Sequence, residues 1–448
     1  MTIDERPTSW DEMEWGPWPE TDVVPQEPLD DETRENQGLP TSLSVVRGEG
    51  VLQRPVFEPA LQHYSRAMRP GEPQFASAET AARWYAARHR ALDHVLAGIA
   101  SSAWAEHLVL RGSILLKAWY GDAAREPRDL DFVVVPPTWV MEEPRTDRML
   151  EDLAAAAAEV SKADAGSTVR IDAAGAASDE IWTYDRVPGR RLVLPWHADG
   201  LPSGSVQLDF VFNERIPHTP EFTHIPARHA GHGNAAGHRI LAATPAQSLA
   251  WKLLWLVTDT YPQGKDLYDA VLLAEAGSLS ADLLLRSLVS SDASWAGQRI
   301  TTAFLDDIDV DADEFRKDYP EVPDSIEQLL ERLKAALAPT FAEAAAEPPA
   351  DGYARRAALL APAVERLREL VREEGLDALL SRVSMDRDPL PETLVLLRET
   401  IGADACTLED VAATYVDFTA RAYPGSYNYY RRTPEELANA VAKLGETV

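Results

Sequence analysis

The chain has 448 residues, enough for two or three domains with a sizeable core, and its 73 acidic against 43 basic residues give a formal charge of −30. That balance opposes general adhesion to nucleic acid or an anionic membrane, and a single cysteine, Cys406, excludes a disulfide framework and a thiolate metal site. With no apolar run of membrane-spanning length and no basic, apolar leader, a soluble, cytoplasmic protein with no membrane partner is expected.

Residues 1–45 are rich in Asp, Glu and Pro with little apolar periodicity, which predicts a disordered acidic arm. Its Trp10, Trp15 and Trp18 alternate with acids, a pattern that suits either docking on a basic groove or a solvated tail. Ala78 to Ala100 has helical spacing, with Trp84, Ala87, Leu92, Leu96 and Ile99 apolar. Residues 61–128 carry nine Lys and Arg against six acids, a basic neighbourhood in an acidic protein.

Val109 to Ser113 reads as a short strand, a tight turn and the opening of a helix that runs from Ile114 to Trp119. Gly112 permits close backbone approach, and the Ser113 hydroxyl with the helix N-terminal amides can hold a phosphate. Next, Asp129-Leu130-Asp131-Phe132 and Val133 to Val135 form a β-branched apolar run. The period of two puts both carboxylates on one face of a core strand. Two such acids are costly unless neutralised, and Mg²⁺ (or Mn²⁺) suits them because it takes one or two carboxylates and completes its shell with water and phosphates. The bland alternative is a strand end whose acids pair Arg125 and Arg128.

A helix follows from about Thr146 to Lys162, then short strands around 168–171, 181–184 and 191–194. Ser205 to Phe212 is a further strand, with Leu208, Phe210 and Phe212 on one face and Asp209 on the other, so a third carboxylate can lie beside the first two. His218, His224, His229, His232 and His238 invite a zinc reading, but Gly231, Gly233 and Gly237 make the segment a polar loop without a ligand frame. Thr244-Pro245-Ala246-Gln247 starts a helix that carries Lys252 to about Val257. Lys265-Asp266-Leu267-Tyr268-Asp269 opens another, with its two acids one turn apart and Gly277 as its C-cap. Asp307, Asp309, Asp311 and Asp313 form a solvated acidic loop, since Ala312 occupies the position where a calcium loop needs Gly. From Ser325 the chain is mostly helical. Arg421, Tyr423, Tyr427, Tyr429, Tyr430, Arg431 and Arg432 either stack bases or pack the last helix onto the body.

The Gly112-Ser113 turn followed by the D-x-D strand resembles the DNA polymerase beta-like nucleotidyltransferases. The wording LRGSILLKAWYG…R…DLDF looks like the AbiEii/AbiGii toxin branch, which includes the MenT-type toxins. That branch reads L-K-G-G-T-x-L, then R-x-S-x-D-L-D-F, and later a lysine-bearing helix and R-D-x-Y-D-L. Arg125, Asp129, Leu130, Asp131, Phe132, Lys252 and K-D-L-Y-D match, while Arg111 and Pro127 stand where Gly and Ser are usual.

The resemblance covers about residues 78–277 and implies an α/β (α+β) nucleotidyltransferase fold with a mixed β-sheet and a mainly α-helical C-terminal domain. It leaves both ends unassigned; taken with composition and periodicity, the expected domains are a disordered acidic arm at 1–45, a nucleotidyltransferase core at 46–240, a helical domain completing the active site at 241–345 and a helical region at 346–448. It further implies transfer of a nucleoside monophosphate from an NTP to a tRNA 3′ end or a protein, under the control of a cognate antitoxin, in phage defence. By the same resemblance Asp129, Asp131 and Asp209 hold the metal, and Gly112, Ser113, Arg125 and Lys252 bind the nucleotide. Asp269 serves the acceptor hydroxyl. The rival expectation is a catalytically silent scaffold of the same fold that binds a nucleotide or a partner.

Overall fold

The computed structural model describes residues 9–16, 18–19, 21–183, 187–228, 237–312, 315–316, 319, 322–346, 352–423 and 433–445. The expectations for His229, His232, Asp313 and the cluster from Tyr427 to Arg432 lie outside them. The chain divides into two compact units: residues 1–248, 258–273 and 310–320 form the first, and residues 249–257, 274–309 and 321–448 the second. This division crosses the expected borders at 240 and 345, because the chain leaves the first unit at 249 and returns to it twice.

In the first unit a short helix α1 (Asp31–Asn36), capped by the Asp30 carboxylate on the Thr33 amide, precedes four short strands. These are β1 (Val51–Leu52), β2 (Pro55–Phe57), β3 (Met68–Pro70) and β4 (Gln74–Phe75), with β1 antiparallel to β4 and β2 to β3. The described part of the arm is packed where disorder is expected. Trp10, Met13, Val24, Leu39, Leu43 and Val45 bury themselves with Met68 in one apolar cluster. Their spacing has no period because turns, not a helix or strand, bring them together. A buried acid fixes the segment: Asp179 accepts from the Thr41 and Ser42 amides, the Ser42 hydroxyl and the Tyr64 hydroxyl. Trp15 stays 60% exposed, with the Arg66 guanidinium 4.5 Å above its ring.

Beyond this come α2 (Ala78–Ser101), β5 (Leu108–Arg111), α3 (Ser113–Tyr120), β6 (Asp129–Val134) and α4 (Pro144–Ala163). They are followed by β7 (Arg170–Ile171), β8 (Ala177–Thr183), β9 (Val187–His197), β10 (Gly204–Val211), β11 (Glu221–Ile225) and β12 (His238–Ala242). Strands β5 to β12 form one mixed sheet in the order β11-β12-β5-β6-β10-β9-β7, with β8 also paired to β9. The β12–β5 and β6–β10 pairs are parallel, and β5–β6 and β10–β9 are antiparallel. Strand periodicity sorts the two faces. Leu110, Phe132 and Phe210 are opposite one another and fully buried, with the two phenylalanine rings stacked at 5.6 Å. The neighbouring positions turn to the other face, where the charged residues lie.

Helix α5 (Pro245–Thr258) is divided between the units, and α6 (Gly264–Ala276) begins in the first, with Leu267, Asp269, Ala270 and Val271 buried. The second unit is helical over Ala281–Ser291, Ile326–Ala336, Ala338–Ala346, Gly352–Glu374, Leu376–Asp386, Leu390–Ile401, Leu408–Ala422 and Pro434–Gly445. Reciprocal capping boxes, Ser325 with Gln328 and Thr407 with Asp410, start two of these helices. Among the described residues no helix is long and apolar enough to cross a membrane.

Candidate active site

The turn after β5 is built around a glycine that no other residue can replace without strain. Gly112 has φ +83°, and a Cβ there would stand 2.5 Å from Asp131 Oδ2. The loop therefore lies directly against the D-x-D strand. Ser113 follows as the first residue of α3, and its hydroxyl is buried without a hydrogen-bond partner. A buried hydroxyl left unsatisfied is unfavourable, so this one is available to a ligand oxygen.

Four charged side chains then cross the sheet in one row. Arg111 on β5 is opposite Asp131 on β6, Asp131 is opposite Asp209 on β10, and Asp209 is opposite Arg191 on β9. The outer cations are both engaged. Arg111 donates to Glu214 at 2.7 Å, and Arg191 grips Asp209 with two bonds, Nε to Oδ1 at 2.9 Å and Nη2 to Oδ2 at 2.8 Å. Gln207, opposite Asp129, adds a third bond to Asp209 Oδ2. Asp129 and Asp131 are half-buried on the same face.

The acids feel one another. Burial, reinforced by the charges of Asp129 and Asp209 and opposed by Arg111 and Lys265, pushes Asp131 up to about 7. Burial would also raise Asp129, but Lys265, Arg125, Arg191 and Arg69 outweigh it and hold that carboxyl below its ordinary value. Asp209 is raised by burial even against Arg191. With Asp129 on the same strand face and Glu214 engaging Arg111, the carboxylates at the row outnumber its two arginines. Among the described residues the donors brought together here are carboxylate oxygens and a hydroxyl, the set a hard divalent cation prefers. Two carboxylates suffice for such an ion. Among the described residues no group of three His, Cys, Asp or Glu side chains forms a ready metal cage, and Asp209 points both oxygens at Arg191.

Arg125 and Arg128, the alternative partners of the two strand acids, each meet another carboxylate. Arg125 makes a two-point pair with Asp269 of α6, at 3.0 and 2.8 Å, and Arg128 lies 3.3 Å from Glu72. Asp269 is fully buried, and the Arg125 guanidinium, against the pull of burial, is held firmly charged by it and by Tyr319. Lys252 is buried on α5 with its ammonium 5.0 Å from the Trp255 ring, in the part of that helix belonging to the second unit. The lysine whose charge reaches Asp129, Asp131 and Glu58 is Lys265.

Sequence reasoning passed over Lys265, Arg191, Arg111 and Glu58 as members of this cluster. For Lys265 a signal was present, since it stands at the arginine position of the second motif. For Arg191 the turn at Asp199-Gly200 between two strand candidates hinted that β9 pairs with β10, but the register that sets Arg191 opposite Asp209 was also needed.

A mixed sheet, a glycine-serine turn against a D-x-D strand and a following helix define the class of nucleotidyltransferases. The model of the nucleotidyl transferase AbiEii toxin family, a type IV toxin–antitoxin system, matches residues 94–347, more than half of the chain, and the chain belongs to that family. It is therefore a nucleotidyltransferase that takes an NTP, in a family that generally uses a divalent metal and whose toxins have a cognate antitoxin. Among solved structures it is similar to MenT4, nucleotidyltransferase toxin Rv2826c from Mycobacterium tuberculosis H37Rv. The identity is 17% and the TM-score 0.39, over 68% of this chain and 94% of that one. No curated protein matches the sequence.

Proposed function

We propose that the chain transfers a nucleoside monophosphate from an NTP to an acceptor hydroxyl, on a tRNA 3′ end or a protein, with Mg²⁺ as the metal; the new phosphoester bond replaces the α–β phosphoanhydride bond, and pyrophosphate leaves with the hydroxyl proton passing to solvent. The observation that supports this best is the juxtaposition of the Gly112-Ser113 turn with Asp131, beside a second open carboxylate, Asp129. Asp129 and Asp131 would hold the ion, which would offset triphosphate charge and polarise the reacting phosphorus. Asp209, fixed by Arg191 and Gln207, shapes the field at Asp131 from the neighbouring strand. The Ser113 hydroxyl and the first amides of α3 bind a phosphate oxygen, and Lys265 supplies positive charge beside Asp129. Asp269 orients Arg125 and does not take a proton itself, because both its oxygens accept from that guanidinium. Positioning and electrostatics carry the acceleration, as phosphoryl chemistry requires. An enzyme with a formal charge of −30 meets a polyanionic acceptor through a restricted basic surface.

The test incubates the protein with each α-³²P-labelled NTP, Mg²⁺ and total bacterial RNA, beside an Asp129→Asn/Asp131→Asn double variant. Label entering RNA or the protein itself, and lost in the variant, supports the reading and identifies the acceptor class. Absence of label from every NTP, with the protein folded, overturns it.

A further inference from the structure

The β2–β3 hairpin precedes the family match, which begins at residue 94, yet it is joined to the acid row by an unbroken line of contacts. Arg191, whose fork holds Asp209, also has its Nη1 3.7 Å from Glu58 Oε2. The same Glu58 oxygen is 3.0 Å from Arg69 Nε. Arg69 is opposite Val56 in the hairpin, and Glu58 lies two residues beyond Val56, so the pair shares one side of the ribbon. The line Asp131, Asp209, Arg191, Glu58, Arg69 alternates in sign after its first two members.

Its two arginines differ in kind. Arg191 is 4% exposed and its charge is spent on two carboxylates, whereas Arg69 is 28% exposed, meets Glu58 through Nε, and among the described residues has one further hydrogen bond, a long 3.5 Å one from Nη1 to the Pro70 carbonyl. A guanidinium anchored on one edge by a carboxylate, with its other donors free, is a preorganised receptor for a phosphate oxygen. The support beneath it is rigid. Asp179 pins residues 41, 42 and 64 to β8, and Leu61 and Ala67, which lie between Glu58 and Arg69 in sequence, form a buried cluster with Ile181. The Arg69 charge also reaches Asp129.

We propose that Arg69 binds the β- or γ-phosphate of the incoming NTP and that Glu58 is a positioning residue that aims it, so that a hairpin outside the family match completes the nucleotide site. This deepens the nucleotidyl-transfer reading above and rests on it.

Calorimetric titration of the full chain decides the matter, using three probes with Mg²⁺: an α,β-methylene NTP, the corresponding NMP, and inorganic tripolyphosphate. Arg69→Gln should weaken the NTP analogue and tripolyphosphate about tenfold, the usual size of a charge-assisted hydrogen bond, and leave the NMP within about twofold. Arg69→Lys, which keeps the charge but not the fork, should fall between, and Glu58→Gln should raise the KM for NTP with little change in kcat. Should Glu58→Gln fail to fold because Arg191 loses a partner, the two Arg69 variants, on a more exposed side chain, still give the answer. A folded Arg69→Gln protein that binds the NTP analogue like the wild type overturns the proposal, as does an equal loss for NMP, which would mean general damage to the site. A wild-type protein that binds none of the three sinks the nucleotidyl-transfer reading itself.

Discussion

The carboxylates of the first unit fall into two groups that differ in what their charge is used for. Asp209 and Asp269 are buried, and each is gripped through both oxygens by an arginine, Arg191 or Arg125. Asp129 and Asp131 are half-buried and share one face of β6, where burial and the charge of Asp129 oppose the ionisation of Asp131. The closed pairs consume their negative charge within the protein and fix the strands and helix that carry them. The open pair leaves charge over, beside a loop pressed so close that only glycine fits, and surplus charge next to a phosphate-sized turn is what a metal-bound triphosphate would neutralise.

Neutralising the open pair should have the largest consequence. Asp129→Asn or Asp131→Asn is expected to lower nucleotidyl transfer about a thousandfold, in the range that loss of a preorganised electrostatic group costs, as measured by label transfer at saturating Mg²⁺. Retention of more than a tenth of the activity in both variants would erase the distinction between the two groups.

Stability should respond in the opposite sense. The folded-state value of Asp131, about 7, lies above its ordinary 3.8, so metal-free folded protein binds more protons than unfolded chain between those limits. This site therefore costs stability progressively as pH rises from about 4 through 7. Asparagine has no such dependence. Metal-free Asp131→Asn should melt above the wild type at pH 8 and close to it at pH 4, by thermal denaturation in the presence of a chelator. A lower melting temperature at pH 8 would mean that Asp131 is a structural acid after all.

The closed pairs should behave in reverse, with stability as the main casualty. Asp269→Asn leaves the Arg125 guanidinium buried opposite a neutral partner and should cost about 3–5 kcal/mol, the usual penalty for breaking a buried ion pair. Asp209→Asn should cost less, about 1–3 kcal/mol, because Arg191 keeps Glu58 at 3.7 Å. Urea unfolding measures both. An Asp209 variant more damaging than the Asp269 variant would show that Glu58 does not compensate.

This contrast between open and closed acids was only half legible in the sequence. The D-x-D strand, the glycine-serine turn, the Asp209 strand and the K-D-L-Y-D helix are local patterns, and strand period or capping chemistry is enough to place their residues on elements. Which acid meets which arginine is decided by strand order. The turn at Asp199-Gly200 suggests that β9 lies against β10 but does not give the register that sets Arg191 opposite Asp209, and nothing local to Arg125 says that α6 delivers Asp269 to it across 144 residues. The arm was misjudged for a related reason. Trp10, Met13, Val24 and Leu39 are too sparse to show a period, yet turns fold them onto Met68, and Asp179, far along the chain, satisfies the backbone that this packing buries.

The smallest effect sharpens the comparison at the loop itself. Ser113→Ala removes a buried hydroxyl that has no partner in the protein. If that hydroxyl serves only packing, its removal opens a small void and stability and nucleotide affinity fall together. If it waits for a phosphate oxygen, the free protein loses an unsatisfied polar group and the complex loses a hydrogen bond, so the two quantities move apart. The expected outcome is the second: stability unchanged or raised by about 0.5–1 kcal/mol in urea unfolding, and NTP affinity lowered about three- to tenfold in titration, the net worth of one neutral hydrogen bond. A group that destabilises the protein in which it sits and strengthens the ligand it meets is serving the ligand, and opposite signs in one variant are harder to produce by general damage than any single loss of activity.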